Sequence, residues 1–196
     1  MYRIWIDSFR HSGSLVDHMN DELKSRIRTV RGWPIPEVNF RDISTLFEDA
    51  KSFRKVVEIF ESKIEEYGVN RIVGIDARGF ILAGAVAAKT GLPMVMIRKK
   101  GKLPPKTIEA SYTLEYGTAA VEIREDACKQ GDKVMILDDL IATGGTLGAA
   151  TELVEKLGAS VSLIAAVIDL PELKGTEKLT SSGYEVFSIC EFMEDE

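Results

Sequence analysis

The chain has 196 residues, 45% of them hydrophobic and 29% charged, with a formal net charge of −6. This is a globular balance, long enough to bury one substantial core. The acidic net charge argues against a general nucleic-acid binder, which usually presents a basic domain. No apolar run approaches the ~18–20 residues of a membrane span.

The opening stretch "MYRIWIDSFRHSGSL" carries charge throughout and has no apolar signal core. A cytoplasmic protein without nucleic-acid or membrane partners is therefore expected. Residues 1–30 suggest an amphipathic helical arm, with Leu15, Met19, Leu23 and Ile27 at helical spacing. "GWPIPEVNF", Gly32 to Phe40, holds two prolines and predicts irregular or extended chain. A helix follows in which Phe53, Val56, Val57, Phe60 and Ile64 trace an apolar stripe, with Gly68 placed to end it.

From Arg71 the pattern alternates. "RIVGI" predicts a buried strand, "GFILAGAVAAKTG" a helix of small residues, and "PMVMI" a second strand. "SYTLEYGTAAVEI" predicts a hairpin turning near Gly117. "KVMIL" is a strand, "GTLGAATELVEKLG" a helix and "SVSLIAAVI" a strand. Strands alternating with helices imply an α/β domain, mostly parallel in its sheet and covered by helices on both faces. Ligands bind such sheets at the carboxyl ends of the strands. One domain over residues 1–196, with the arm at 1–30, is the expectation.

The stretch "VMILDDLIATGGT" occupies that position. If Val134 to Leu137 is a strand, Asp138 and Asp139 emerge at its end and Ala142, Thr143, Gly144, Gly145 and Thr146 turn into a helix. The first helical amides lack helical partners and carry partial positive charge. Small residues let a phosphate approach them closely. The carboxylates repel phosphate, so they suit hydroxyls of the same ligand, which ionised Asp accepts. The implied ligand is a sugar phosphate. A lone "TGGT" would mean a capped turn only; the paired aspartates shift the reading. The walker-type lysine of GxxxxGK[ST] is absent.

Elsewhere the chemistry is sparse. Cys128 and Cys190 form no CxxC and read as buried thiols of a reducing compartment. His11 and His18 both lie in the N-terminal arm, which leaves little for a Ser-His-Asp triad or a histidine zinc site.

"VMILDDLIATGGT" closely resembles the phosphoribosyl pyrophosphate signature of type I phosphoribosyltransferases. The resemblance implies a type I phosphoribosyltransferase fold, a twisted, mostly parallel sheet flanked by helices with a β-hairpin lid region. It implies that Asp138 and Asp139 hold the ribose hydroxyls and Ala142 to Thr146 the 5-phosphate. "FRDIS", "GIDARGF", "IRKKGKLP" and "ASYTLEYG" resemble, in order and spacing, the branch of that family that acts on adenine. Together the likeness covers roughly residues 26 to 190.

Each stretch has its own physical reading. After its strand, Asp76 to Gly79 suggest a second anion-binding turn, and Arg78 suits pyrophosphate through charge-assisted hydrogen bonds; alone it would be a surface arginine. Arg98, Lys99, Lys100, Lys102 and Lys106 fall within nine positions. Such a run is commonly a solvated face. By resemblance it is a mobile lid around Gly101 and Pro104–Pro105, with Arg98, Lys99 and Lys102 facing pyrophosphate. Glu115 is either a solvent-facing hairpin residue or, as the resemblance implies, the group that assists proton transfer at the base. Asn39, Phe40 and Arg41 supply the base pocket by resemblance, with Phe40 stacking on the purine; a core role for Phe40 competes. At position 39 the family pattern has an apolar residue such as valine, and this chain has Asn39.

The resemblance further implies adenine and phosphoribosyl pyrophosphate as substrates, AMP and pyrophosphate as products, Mg²⁺ carried with the pyrophosphate and no dedicated protein metal cage, and a homodimer. Catalysis would fall to Glu115 and Arg78. The alternatives are the same transfer to hypoxanthine, guanine or xanthine, or a non-catalytic regulator that senses phosphoribosyl pyrophosphate.

Overall fold

In a computed structural model, residues 20–114 and 117–196 are described. The described residues form two compact units: 20–54 together with Glu196, and Lys55–Asp195.

In the first unit, α1 is described over residues 20–24. The helical arm expected through residue 30 stops there, and the chain turns into strand β1, Arg28–Arg31. β1 pairs antiparallel with β2, Asn39–Asp42, in the register Arg28↔Asp42 and Val30↔Phe40. The β-branched Thr29 and Val30 favour a strand. The apolar spacing through Ile27 hid the change, because Leu23 and Ile27 are both buried whether or not the helix continues. The proline-bearing segment between β1 and β2 is irregular, as expected. Helix α2, Ser44–Glu48, follows. The Asp42 carboxylate ties its start, accepting from the Ser44 amide at 3.1 Å and from the Arg28 guanidinium.

Helix α3, Ala50–Tyr67, leads into the second unit. Val56, Val57, Phe60 and Ile64 of its predicted stripe are buried, and Gly68 follows at φ 61°. The second unit is built on a seven-stranded sheet in the order β5-β6-β4-β3-β7-β8-β9. Its strands are β3 (Arg71–Ile75), β4 (Met94–Lys99), β5 (Thr107–Leu114), β6 (Gly117–Arg124), β7 (Lys133–Ile141), β8 (Ser160–Asp169) and β9 (Val186–Glu191). β4, β3, β7, β8 and β9 run parallel. The β5–β6 hairpin joins one edge antiparallel. The mostly parallel sheet with a hairpin is as the sequence predicts. β9 is an addition: "EVFSICEF" alternates too weakly to announce a strand.

Side-chain alternation sorts the sheet into two faces. Val73, Ile75, Val134, Ile136, Ile164 and Ala166 share one cluster with Leu147, Ala150, Leu153 and Val154 of α5, Gly145–Lys156. The intervening residues, Ile72, Met135, Leu137, Leu163 and Ala165, are fully buried. On that side lies α4, Arg78–Thr90, close enough that a Cβ on Gly74 would come 2.8 Å from the Ala83 Cβ. Each large aliphatic side chain so buried contributes about 1.5–3 kcal/mol. After β8 the chain makes a short 3₁₀ turn, Pro171–Leu173, and then α6, Gly175–Ser181.

Candidate active site

β3 and β7 are adjacent and parallel, so the loops leaving their carboxyl ends face one another. A cavity of about 440 Å³ opens there, within the range for small-ligand sites. Its walls are Ile75 to Arg78 after β3, Asp138 to Leu140 of β7, Ala142 to Leu147, Lys99 of β4, and Tyr112 and Val121 of the hairpin.

The aspartates do not emerge beyond the strand, as the sequence suggested. β7 continues to Ile141, because β8 is long enough to pair it through Asp138↔Ala166 and Ile141↔Asp169. Successive strand residues then alternate. Asp139 is buried at 6% exposure, and its Oδ2 accepts from Arg78 Nε at 2.6 Å. Asp138 is half-buried, and its Oδ1 accepts the Asp139 amide at 2.8 Å. Burial, reinforced by the neighbouring Asp139 charge, holds the Asp138 carboxyl well above the ordinary carboxylate value.

The turn from β7 into α5 is short. Gly144 occupies the N-cap position at φ 74°, a left-handed conformation that only glycine adopts readily. The cap carries no side-chain hydrogen bond. Gly144, Gly145, Thr146 and Leu147 all border the cavity, so the N-terminus of α5 opens onto it, an arrangement that suits an anion. On the facing side, Gly79 lets α4 approach β7. A Cβ there would lie 2.7 Å from the Leu137 carbonyl oxygen and 3.0 Å from Asp138 Oδ1. The Asp76–Ala77 peptide preceding it is cis.

The basic run divides by position. Lys99 borders the cavity. Arg98 Nε donates to Asp76 Oδ2 at 2.9 Å, and its Nη1 donates to the Lys102 carbonyl oxygen at 3.0 Å. Lys100 pairs with Glu109 at 2.7 Å. Lys102 is exposed and lies outside the cavity wall. The turn it belongs to is anchored by Glu122, a carboxylate 3% exposed on β6. Glu122 Oε1 accepts the amides of Lys102 at 2.8 Å and Leu103 at 2.7 Å. Burial alone would raise the Glu122 pKa; the Leu103, Gly101 and Lys102 amides and the Thr107 hydroxyl outweigh it and hold it below its ordinary value.

Asn39, Phe40 and Arg41 lie on β2 of the first unit. Phe40 packs edge-on against Trp33, with ring centroids 4.6 Å apart. Arg41 is buried at 3% exposure, and its Nη1 donates to Thr29 Oγ1 at 2.6 Å and to the Glu196 carbonyl oxygen at 3.0 Å. Glu115 lies outside the described residues.

Tyr112 was not foreseen from the sequence. Ile108, Ala110 and Tyr112 alternate onto one face of β5, the face that packs on the main core. That spacing is its signal in the sequence.

The fold and this cavity define an α/β protein with a small-ligand cleft, in which a helix N-terminus lies beside paired carboxylates. Residues 42–193 match the model of the phosphoribosyl transferase domain, and the chain belongs to that family. Among curated relatives, the adenine phosphoribosyltransferase of Marinobacter nauticus is 47% identical over 180 residues, 92% of this chain and 100% of that protein. The adenine phosphoribosyltransferase of Ralstonia nicotianae is 52% identical over 87% of this chain and 86% of its own length. The crystal structure of adenine phosphoribosyltransferase from Thermoanaerobacter pseudethanolicus superposes with a TM-score of 0.84 at 39% identity, covering 88% of this chain and 99% of that one. The enzyme of Saccharomyces cerevisiae, solved with adenine and an imino-altritol bisphosphate, gives 0.83 at 35% identity, covering 89% of this chain and 99% of that one. Within the family, the chain groups with the adenine phosphoribosyltransferases.

Proposed function

We propose that this chain transfers the 5-phosphoribosyl group of phosphoribosyl pyrophosphate to adenine, giving AMP and pyrophosphate. The observation that carries the reading is the single cavity wall on which the α5 N-terminus, Asp138–Asp139 and Arg78 with Lys99 meet. Each group matches one part of the donor. The amides of Ala142 to Thr146 take the 5-phosphate. The aspartates accept from the ribose hydroxyls. Arg78 and Lys99 lie where a departing pyrophosphate gathers charge. Arg98, already bonded to Asp76, holds that turn.

As the bond to pyrophosphate breaks, the sugar C1 becomes cationic. The negative field of Asp138 and Asp139 favours that centre without any covalent intermediate on the enzyme. Phe40 is assigned to stacking on the purine, and Glu115 to proton transfer at the base. These two roles rest on the resemblance of "NFRD" and "SYTLEYG" to the adenine branch.

The donor set fits a Mg²⁺ that arrives on its substrate. Of the carboxylates bordering the cavity, Asp76 and Asp139 are committed to Arg98 and Arg78. Asp138, which also borders the cavity, would be the carboxylate left to help hold such an ion. When bound, the ion would offset the negative charge that develops on the leaving group.

The test is turnover with Mg²⁺, phosphoribosyl pyrophosphate and a panel of purines. AMP formation from adenine supports the reading. Preferential use of hypoxanthine, guanine or xanthine replaces the base assignment. A tight DNA complex without turnover on any base replaces the reading with a regulator. The resemblance also extends to a homodimer in the cytoplasm, and light scattering tests the dimer. No helix among the described residues is long and apolar enough to cross a membrane.

A further inference from the structure

The turn that seats the anion leans on a second stretch of bare backbone. Gly175, the first residue of α6, is not part of the cavity wall. A Cβ at Gly175 would lie 2.1 Å from the Ala142 carbonyl oxygen, 2.8 Å from the Gly144 nitrogen and 2.9 Å from Ile141 Cγ2. From the opposite side, a Cβ at Gly144 would lie 3.0 Å from the Gly175 carbonyl oxygen. Two backbones are therefore in contact with no side chain between them. The atoms in the way belong mostly to the main chain of the turn, so no flexible side chain can yield.

The chain leading into α6 is tied to β7, and α6 itself to β8. The Leu170 amide donates to the Ile141 carbonyl oxygen at 3.0 Å. Thr176 Oγ1 donates to Asp169 Oδ2 at 2.8 Å, and Asp169 is 3% exposed. Lys174, immediately before Gly175, sits at φ 57°, a left-handed conformation that is costly for a non-glycine residue.

We propose that Gly175 is a positioning residue for the 5-phosphate: its bare backbone braces Ala142 to Gly144 from the side away from the cavity and fixes where the α5 amides point. This rests on the reading of that turn as the phosphate seat. Gly175 touches no substrate and acts through the turn alone. A side chain there displaces the seat while leaving Arg78, Lys99 and the base-binding residues where they are.

The test compares two ligands with opposite needs. Ribose 5-phosphate requires the seat, and inorganic pyrophosphate does not. In Gly175→Ala, the KM for phosphoribosyl pyrophosphate and the inhibition constant of ribose 5-phosphate should rise together by about ten- to a hundredfold, the scale of loss for a displaced positioning group. The inhibition constant of pyrophosphate and the KM for adenine should stay within roughly twofold. Thr176→Val, which removes only the hydroxyl bonded to Asp169, should move ribose 5-phosphate in the same direction by a smaller factor, and it decides the matter if Gly175→Ala does not fold. Gly148→Ala on α5, where an added carbon meets nothing within 4 Å, should match wild type. Equal weakening of both ligands, or unchanged ribose 5-phosphate binding in folded variants, overturns the brace. Thr146→Val separates the two levels. If that variant and Gly175→Ala both leave ribose 5-phosphate binding intact, the seat itself is misassigned. If Thr146→Val weakens binding and Gly175→Ala does not, only the brace is.

Discussion

Arg78 Nε donates to Asp139 Oδ2 at 2.6 Å, joining the turn after β3 to the strand β7 beside it. The carboxylate is nearly buried and the guanidinium is 45% exposed. Asp139 thus holds Arg78 at Nε, and Arg78 borders the cavity. The residue assigned to ribose also orients the residue assigned to pyrophosphate.

Asp139→Asn should therefore damage both ends of the donor. It removes a charged acceptor for a ribose hydroxyl and loosens Arg78. Hydrogen bonds to charged groups contribute about 1.5–3 kcal/mol, so kcat/KM for phosphoribosyl pyrophosphate should fall roughly ten- to a hundredfold, and inhibition by pyrophosphate alone should weaken as well. Arg78→Gln should weaken pyrophosphate similarly. The double variant should lose less than the sum, because the residues are coupled. Strict additivity of the two effects would separate their roles.

Asp138 gives a pH dependence. Its carboxyl is held well above the ordinary 3.8, first by burial and then by the Asp139 charge. In its ionised form it accepts strongly from ribose hydroxyls; protonated, it loses the charge and one of its oxygens becomes a donor. Efficiency with phosphoribosyl pyrophosphate should rise with pH through that raised value, and Asp138→Asn should flatten this acid limb. The effect on stability has the opposite sign. The folded state binds the proton more tightly than the unfolded chain, so from about 3.8 up to the raised value stability falls as pH rises. In that window the ligand-free asparagine variant should gain on wild type in thermal midpoint. An acid limb that persists unchanged in Asp138→Asn would assign it to another group.

The parts of this site that were legible in the sequence are those written in local chemistry. Asp138, Asp139 and "ATGGT" announce themselves because consecutive carboxylates and glycines are rare after an apolar strand. What remained hidden depends on long-range pairing. The continuation of β7 through the aspartates is decided by the length of β8, whose pairing residues Ala166 and Asp169 lie far along the chain. Gly175 looks like an ordinary helix start, and its fit against Ala142 exists only after the sheet is assembled. Glu122 resembles one more charge on a hairpin until the turn at Gly101 to Leu103 folds back on it. Tyr112 was visible by alternation alone, but alternation ranks a tyrosine no higher than its neighbours.

Glu122 should matter to stability and to the order of the basic turn. Its pKa is held below the ordinary 4.5 by the turn amides and Thr107, against the opposing effect of burial. The stabilisation from this carboxylate is complete above the unfolded value and is lost as pH falls through the lower folded value. Glu122→Gln keeps the shape but weakens the acceptor. At neutral pH its thermal midpoint should drop by roughly 2–8 °C, equivalent to about 1–2 kcal/mol in a chain of this size. The gap should close as the solution is acidified below 4.5. A gap independent of pH would mean that the lost stability comes from packing and not from charge.

The base is the remaining question of specificity, and strand geometry makes it answerable. Asn39 and Phe40 are consecutive in β2, so their side chains project to opposite faces. Arg41, on the Asn39 face, is buried against Thr29 and the Glu196 carbonyl. If Phe40 stacks on the purine, Asn39 faces away from it, and the chain reads the purine edge through backbone groups. Adenine should then be preferred to hypoxanthine. Adenine brings an amino donor at C6 where hypoxanthine brings a carbonyl, and a buried mismatch of that kind discriminates by a factor on the order of 10⁴. Asn39→Val should leave the ratio of the two efficiencies within about threefold of wild type. Phe40→Ala should cost both bases alike, by about 1–3 kcal/mol of lost stacking. Competing turnover with adenine and hypoxanthine in these three proteins measures all of it. Equal use of both bases by wild type overturns the adenine preference, and a ratio that collapses in Asn39→Val moves recognition to the Asn39 side chain and removes Phe40 from the face that holds the base.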